Sequence, residues 1–329
     1  MKSYDLLLSK SCMLKCKMCH LWQHPEERGE LSINEWETLI RDMIGIENGN
    51  PARLHFGGGE PFFKNGIVPL IKLAKSAGFE VRVTSNGYLI NDRLASEIID
   101  SGLDHISFSL DSLQPEVHDS LRGVSGTHKR VMQAIDFLSG KKTTKIPTIG
   151  VNCLISAINL DGLISMAEWV IHNDKVSGVI FQAVIQPFDT VPDDQWYRKD
   201  IFSGLWPKDI KKTQDVLDRL IDLKSKGNDK MSNPIDQLKA FKMYFSNPLE
   251  FIKKTACPMD NTSLLVNWLG QVYFCGMLPD IGNIREYPIG EILLSKMFKD
   301  RQREMGLCNR NCNNKVNCFF KKESINYGD

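Results

Sequence analysis

Short apolar segments alternate with amphipathic segments up to about residue 185, and this alternation constrains the fold more than any other feature. Strands that alternate with helices at such intervals indicate a parallel sheet with right-handed crossovers. The pattern holds six such units and has no room for eight. The predicted strands cover residues 4–8, 53–56, 80–84, 105–110, 148–155 and 178–185, and helices are predicted over residues 32–44, 68–76, 92–101, 127–138 and 160–172.

Beyond residue 185 the pattern changes. Residues 186–209 are rich in Pro, Asp and aromatic side chains, and two helices are predicted over residues 210–226 and 235–245. Gly270 is placed for the turn of a short hairpin. The tail is rich in Cys, Asn and Lys and poor in apolar residues, so we expect bound metal to hold it together. The predicted domains are residues 1–185, a connecting segment 186–256, and residues 257–329.

Composition excludes several classes of protein. The 329 residues are 42% hydrophobic and 25% charged, which rules out collagen, coiled coil and intrinsic disorder. The formal charge is +1, so no overall field would attract nucleic acid or anionic lipid, and we expect neither as a partner. No apolar run reaches the roughly 18–20 residues of a membrane span, and no signal peptide opens the chain. We therefore expect the protein to be cytoplasmic. In the cytoplasm, patterned cysteines are more often metal ligands than disulfide partners.

The first cysteine cluster is Cys12-x3-Cys16-x2-Cys19, directly after the first predicted strand. A loop of eight residues can turn three thiolates toward one metal centre. A four-iron cluster normally takes four cysteines, so three would leave one iron open to an outside ligand. The alternative is a structural zinc site completed by His20 or His24.

This cysteine loop resembles the signature of the radical S-adenosylmethionine (SAM) superfamily. A second resemblance is Gly58-Gly59-Glu60-Pro61, which follows the second strand as the GGEP segment does in that family. The resemblance implies a partial (β/α)6 barrel of the TIM type in the α/β class. It also implies that the open iron of a 4Fe-4S cluster binds SAM, and that one electron cleaves SAM to methionine and a 5′-deoxyadenosyl radical. Met18 stands where the family usually has an aromatic residue near the adenine.

The resemblance also supplies candidate site residues at the strand ends. Those predicted to contact the cofactor are Met18, Gly58, Gly59, Glu60, Pro61, Asn86, Ser109, Asp111, Asn152 and Gln182. The alternative for the polar ones is that they only cap strand ends. Candidates for a catalytic role are Asp111, Arg122 and Cys153. Arg122 would contact a substrate carboxylate or a neighbouring acid, and Cys153 would donate a hydrogen atom or pack as a core residue.

The second cysteine cluster resembles the SPASM and twitch extensions of the same superfamily. Cys257, Gly270 and Cys275 match their C-x(9–15)-G-x4-C opening. Two auxiliary clusters would need about eight thiolates, and five are present. We therefore expect one auxiliary 4Fe-4S cluster, bound by Cys257, Cys275 and two of the last three cysteines, with a four-cysteine zinc site as the alternative. Those last three are Cys308, Cys312 and Cys318.

The function implied by these resemblances is reductive cleavage of SAM followed by abstraction of a substrate hydrogen. We expect the substrate to be a ribosomally made peptide or protein, with the aromatic residues Trp196, Tyr197 and Trp206 either capping the barrel mouth or packing two domains together. Since Cys12 lies so near the start, we expect a separate leader-recognition protein, and flavodoxin or ferredoxin as the electron donor. The alternatives are a twitch-type dehydrogenase or epimerase of a small molecule such as an amino sugar, and a non-catalytic iron–sulfur or zinc protein.

Overall fold

Six parallel strands with helices between them form the first part of the chain, as the alternation predicts. The strands are β1 Lys2–Leu7, β2 Ala52–Gly57, β3 Glu80–Ser85, β4 His105–Ser109, β5 Thr148–Ile155 and β6 Gly178–Ala183. The helices are α1 Ile33–Glu47, α2 Ile67–Ser76, α3 Asp92–Asp100, α4 Pro115–Arg122, α5 Thr127–Ser139 and α6 Leu163–His172. The computed structural model describes residues 2–23, 29–47, 49–50, 52–141, 143, 145–188, 190–191, 193–249, 263–276, 278–308 and 313–317.

The predicted strand ends agree with the structure to within two residues. Helix α4 was not predicted, although its signals are present in the sequence: Pro115 is its first residue, and Gly123 follows its last at a φ of +72°. Helix α1 begins with a capping box. There the Ser32 backbone N–H donates to Glu35 Oε2 at 2.7 Å, and Glu35 N–H donates to Ser32 Oγ at 3.3 Å.

The sheet continues past β1 through the C-terminal part of the chain. Its strand order is β6-β5-β4-β3-β2-β1-β7-β8, where β7 is Ser263–Val266 and β8 is Val272–Tyr273. The hairpin of β7 and β8 is confirmed, with Gly270 at a φ of +84° in its turn. The sequence pattern did not indicate that β7 pairs in parallel with β1.

The opposite edge of the sheet, β6, is covered by irregular backbone and by two asparagine side chains. Val179 N–H donates to the Lys230 carbonyl oxygen at 2.7 Å. Both backbone groups of Phe181 bond to the Asn233 side chain, at 2.7 and 2.9 Å. The helices on this side are α7 Asp200–Ser203, α8 Ile210–Ser225 and α9 Ile235–Ser246, and those near the C terminus are α10 Ile289–Leu294 and α11 Lys296–Gly306.

The two faces of the barrel strands differ as alternation requires. Side chains such as Leu54, Ile106 and Phe108 point outward and are fully buried against the helices. Along β4, Ile106 and Phe108 are buried on one face, and Ser107 and Ser109 are half-buried on the other. The inward-facing positions are largely polar. In the described part of the chain, no helix combines the length and apolar character needed to cross a membrane.

The aromatic residues after β6 form a packed cluster. The rings of Tyr197 and Trp206 lie 4.8 Å apart, and Trp206 also contacts Tyr244 and Phe245, each at 5.2 Å. Trp196 is fully buried at 5.7 Å from Trp206. These aromatics therefore pack within the connecting segment, between its first part and α9.

Candidate active site

The loop that follows β1 carries the first cysteine cluster to the carboxyl ends of the barrel strands. Cys12, Cys16 and Cys19 all contribute to the wall of one cavity of about 600 Å³. Cys16 is buried and the other two are half-buried. The carboxyl ends of the strands are where barrel enzymes place their active sites, so this cavity is the candidate site.

The glycine-rich turn after β2 holds the start of this loop through the backbone. Gly59 N–H donates to the Ser9 carbonyl oxygen at 2.7 Å, and Glu60 N–H donates to the Ser11 carbonyl oxygen at 2.9 Å. A Cβ added at Gly59 would overlap the Ser11 carbonyl oxygen. At Gly58, where φ is +110°, a Cβ would lie 2.6 Å from the Ser9 carbonyl oxygen. Only glycine permits so close an approach.

Glu60 is buried and couples this turn to the end of β3. Its Oε1 accepts hydrogen bonds from Ser85 Oγ at 2.9 Å and from Phe62 N–H at 3.2 Å, and its Oε2 accepts one from Asn86 N–H at 2.8 Å. Burial raises the pKa of Glu60 to about 7, although these three donors act in the opposite direction. The carboxyl group therefore positions Asn86.

Asn86 in turn contacts the first cysteine. Its Nδ2 lies 3.6 Å from Cys12 Sγ, and Leu14 N–H lies 3.5 Å from the same sulfur. Burial raises the pKa of the Cys12 thiol to about 12, and Cys16 nearby adds to that rise. A metal ligand must lose this proton when the metal binds, and N–H groups near the sulfur are the partners that a metal-bound thiolate uses.

The three thiols line one cavity without meeting at one point. Among the described residues, no group of three or more His, Cys, Asp and Glu side chains is close enough to hold a metal ion. A single zinc ion takes its four ligands at about 2.0–2.3 Å, whereas an iron–sulfur cluster spreads its cysteines over several iron atoms. His24, one of the two ligands that would complete the zinc alternative, lies outside the described residues.

A buried ion pair lies behind Cys16. Arg122 Nε is 2.8 Å from Asp111 Oδ2, and burial raises the pKa of the Cys16 thiol while the Arg122 charge lowers it. Asp111 Oδ1 accepts the backbone N–H of Leu154 at 3.0 Å, and Asp111 N–H donates to His118 Nδ1 at 3.1 Å. Burial lowers the pKa of His118 to about 4, which keeps this ring nitrogen free to accept. The structure places Arg122 against a neighbouring acid, and a contact with a substrate carboxylate stays a prediction.

Below the cysteines, the cavity continues into the barrel as a polar lumen. His55 Nδ1 lies 2.8 Å from Asp5 Oδ1, and His55 Nε2 lies 2.9 Å from Thr84 Oγ1. His105 Nε2 lies 2.9 Å from Ser107 Oγ, and burial lowers the pKa of His105 to about 4. A second cavity of about 390 Å³ surrounds these groups and shares His55 and Thr84 with the upper one.

Two family models match this chain. Residues 6–170 match the radical SAM superfamily, and residues 257–318 match SPASM, an iron–sulfur cluster-binding domain. The first match contains both the cysteine loop and the glycine-rich turn. The chain belongs to the radical SAM superfamily. Its cofactors are therefore SAM and a 4Fe-4S cluster, with an auxiliary iron–sulfur cluster in the SPASM domain.

Curated relatives of this radical SAM enzyme act on different molecules. The chain is 36% identical to an AdoMet-dependent heme synthase from Oleidesulfovibrio alaskensis over 132 residues, which are 40% of this chain and 33% of that protein. It is 29% identical to a GTP 3′,8-cyclase from Chlorobaculum tepidum over 203 residues, 60% of this chain and 57% of that one. An AdoMet-dependent heme synthase from Methanosarcina barkeri is 25% identical over 92% of this chain and 85% of its own.

Solved structures resemble the fold over almost the whole chain. The structure of anSMEcpe with bound AdoMet and Cp18Cys peptide has a TM-score of 0.66 at 18% identity, and covers 92% of this chain and 83% of that one. SuiB from Streptococcus suis, bound to the precursor peptide SuiA, has a TM-score of 0.65 at 15% identity and covers 91% and 66%. At these identities the likeness shows a shared fold.

Eight of the ten residues predicted to contact the cofactor lie in the wall of the radical SAM cavity: Met18, Gly58, Gly59, Asn86, Ser109, Asp111, Asn152 and Gln182. Glu60 and Pro61 do not. Glu60 is directed into the protein, and Pro61 begins the short 3-10 helix Pro61–Phe63. Cys153 is fully buried with its sulfur 3.6 Å from the Asp111 carbonyl oxygen, outside the cavity wall, which is the packing alternative.

Several cavity residues were missed by the sequence reasoning: Trp22, His55, Thr84, Phe188 and Asn317. Strand alternation could have found His55 and Thr84, since each lies on the inward face of its strand. No local signal marks Asn317, whose side chain bonds to Ala183, 134 residues earlier.

The second cysteine cluster is described only in part. Cys275 follows β8 and Cys308 follows α11, and both are half-buried. Cys257, Cys312 and Cys318 lie outside the described residues. The predicted ligand set of the auxiliary site therefore stays a prediction.

Proposed function

We propose that Cys12, Cys16 and Cys19 bind the 4Fe-4S cluster that cleaves SAM, and that the resulting radical abstracts a hydrogen from a peptide or protein. The observation that carries this proposal is the shared cavity, which brings the three thiols together with the backbone of the glycine-rich turn and the polar ends of the strands. When bound, the cluster and SAM supply the one-electron chemistry.

The chain's own residues would orient SAM. The Gly58 and Gly59 backbone lies in the cavity wall, and Asn86 is fixed there by Glu60. Ser109, Asn152 and Gln182 present hydroxyl and amide groups on the same wall, and Met18 offers an apolar contact. These groups would bind the polar and apolar parts of SAM while the barrel excludes bulk water.

We propose one auxiliary 4Fe-4S cluster, bound by Cys257, Cys275 and two of Cys308, Cys312 and Cys318. Its proximity to the cavity is supported by Asn317, which directly precedes Cys318. The Asn317 side chain bonds both backbone groups of Ala183 at the end of β6, at 2.8 and 2.7 Å, and lines the cavity. An auxiliary cluster attached there would accept an electron from a substrate radical or bind the substrate.

The peptide class is favoured by the open cavity mouth, where Phe188 is 58% exposed, and by the fold shared with peptide-bound relatives. A small molecule is the second candidate. The match over 92% of the chain to a heme synthase favours a tetrapyrrole within that class, ahead of an amino sugar. A separate leader-recognition protein belongs to the peptide candidate alone.

An external one-electron donor such as flavodoxin or ferredoxin is part of the proposal, because cleavage of SAM consumes an electron. Such donors work in the reducing cytoplasm, where thiols stay reduced.

Anaerobic reconstitution followed by iron analysis and reduction with dithionite tests the core of the proposal. We expect about eight irons per chain and formation of 5′-deoxyadenosine from SAM. Cys16→Ala should abolish that product. Cys153→Ala is the matched control, since it removes a buried thiol outside the cavity and should leave the product in place. Equal activity of the two variants would disprove the assignment of the cysteines.

The substrate class is tested by measuring how far each candidate raises the rate of 5′-deoxyadenosine formation above the rate without substrate. A library of short peptides, iron coproporphyrin III and an amino sugar would be supplied separately, each deuterated where possible. Deuterium transferred into 5′-deoxyadenosine from a peptide supports the first candidate. Transfer only from the tetrapyrrole or the sugar would replace it with the second.

A further inference from the structure

Arg122 is a buried cation beside a proposed cluster ligand. Its side chain is 14% exposed and that of Asp111 is fully buried, with 2.8 Å between Arg122 Nε and Asp111 Oδ2. Arg122 and Cys16 line the wall of the same cavity. Charges act strongly on one another where water is excluded, so this cation acts directly on whatever charge the Cys16 sulfur carries.

The position of Cys16 does not depend on that guanidinium. Lys15 N–H donates to the Arg122 carbonyl oxygen at 3.1 Å, and Lys17 N–H donates to the Leu121 carbonyl oxygen at 2.9 Å. These bonds attach the loop to the C-terminal end of α4 on both sides of Cys16. Gly123 allows the approach, because a Cβ there would overlap the Lys15 carbonyl oxygen. The side chain of Arg122 can therefore be changed while the main chain still holds the loop.

We propose that Arg122 is a positioning residue that raises the reduction potential of the cluster bound at Cys16. This rests on the proposed role of Cys16 as a cluster ligand. In the step concerned, an external reductant gives one electron to the cluster, no bond forms or breaks, and one negative charge is added near the thiolates. A fixed cation near the Cys16 sulfur stabilises that reduced state. Asp111 holds the guanidinium in place and offsets part of its charge.

Replacing the cation should make the cluster harder to reduce. For Arg122→Met we expect the equilibrium constant for one-electron reduction to fall at least tenfold, which is a midpoint shift of about 59 mV to more negative values. Arg122→Lys should restore most of the potential. Asp111→Asn, which removes the negative charge beside Arg122, should shift the midpoint potential to less negative values. The measurement is an anaerobic redox titration of the reconstituted full chain by electron paramagnetic resonance, following the signal that added SAM perturbs.

Lys17→Met provides the matched control. It removes one positive charge from the residue next to Cys16, but Lys17 is exposed and its Nζ bonds only outward, to Ser120 Oγ at 2.9 Å. Solvent screens such a charge. The reduction potential of the cluster in Lys17→Met should therefore stay within a few mV of that in the unchanged chain, because exposed charges couple only weakly.

Two results would overturn the proposal. One is an unchanged potential in Arg122→Met, or in Arg122→Gln if the Met variant fails to retain iron. The other is a potential that moves as far in Lys17→Met as in the Arg122 variants. A variant that weakens SAM binding without moving the potential in the absence of SAM would assign Arg122 to SAM instead. Failure of the proposed function looks different, because the unchanged chain would then show no SAM-responsive signal.

Discussion

The two edges of the barrel sheet are closed in different ways. At the β1 edge, β7 adds four residues in a regular parallel ladder, from Ser3 opposite Ser263 to Leu6 opposite Val266. At the β6 edge, each outward-facing backbone pair has a separate partner. Val179 pairs with the segment around Met231, while Phe181 and Ala183 pair with the side chains of single asparagines.

The difference shows that an asparagine amide can replace a strand one residue at a time, since it offers one donor and one acceptor as a peptide group does. A ladder of backbone bonds is insensitive to side-chain identity, whereas the β6 edge depends on Asn233 and Asn317. The β1 edge is held by a continuous ladder of backbone bonds, and the β6 edge is held by separate contacts beside the cavity. Point substitutions should therefore affect the two edges unequally.

The largest effect is expected at the fully buried Asn233. Asn233→Ala would leave the N–H and carbonyl groups of Phe181 without partners, and would also remove the bond to Gln237 Oε1 at 2.9 Å. Unpaired buried backbone groups cost about 1–3 kcal/mol each, so we expect a loss of about 2–4 kcal/mol. Urea unfolding under anaerobic conditions measures it. A loss below about 1 kcal/mol would mean that the β6 edge tolerates substitution as a ladder does.

A smaller loss is expected from Val266→Ala on β7, a fully buried position. Removal of two methyl groups should cost about 2 kcal/mol through lost packing alone. Hydrogen exchange of the paired β1 amides should stay slow, because their partners are backbone groups. Ser263→Ala on the same strand, half-buried at the start of the ladder, is the control and should change little. Fast exchange along β1 in either variant would contradict the comparison.

Asn317→Ala should have a more local effect, since this residue is only half-buried. We expect about 1 kcal/mol of lost stability and faster hydrogen exchange at the Ala183 amide, whose acceptor is Asn317 Oδ1. The amide of Val151 on β5, which is paired on both sides, serves as an internal reference. Unchanged exchange at Ala183 would show that its bond to Asn317 contributes nothing in solution.

The smallest effect concerns Glu35 and Arg285, which tie the segment after β8 to α1. Arg285 Nε lies 2.6 Å from Glu35 Oε1, and this hydrogen bond lowers the pKa of Glu35 from 4.5 to about 2. A lowered pKa adds stability above pH 4.5 that is lost as the pH falls from there toward 2. Both side chains are more than a third exposed, so the gain should be under about 1 kcal/mol.

Melting temperatures of the unchanged chain and of Glu35→Gln test this pair. The gap between them should shrink as the pH falls from 5 to 3, and also when salt is added at pH 7. A gap that is constant with both pH and salt would mean that the ionised carboxylate of Glu35 adds no stability.

The sequence predicted what depends on local periodicity. The six barrel strands, the inward direction of Ser109 and the hairpin turn at Gly270 follow from alternation and turn chemistry. The short α4 was missed because eight residues carry a weak periodic signal. The parallel pairing of β7 with β1 and the bond from Asn317 to Ala183 could not be foreseen, since they join residues far apart in the chain and leave no trace in spacing. The same limit applies to the place of Arg122 beside Cys16.

The polar lining of the lower lumen has a consequence for the durability of the protein. A cavity of about 390 Å³ with so many donors and acceptors fills with water. A carbon-centred radical formed above it would face O–H bonds of water, which hold their hydrogen more tightly than aliphatic C–H bonds do. A lumen lined by leucine and isoleucine would instead present aliphatic C–H bonds that the radical could attack. Water in the lower lumen would thus protect the protein from a radical formed in the radical SAM cavity.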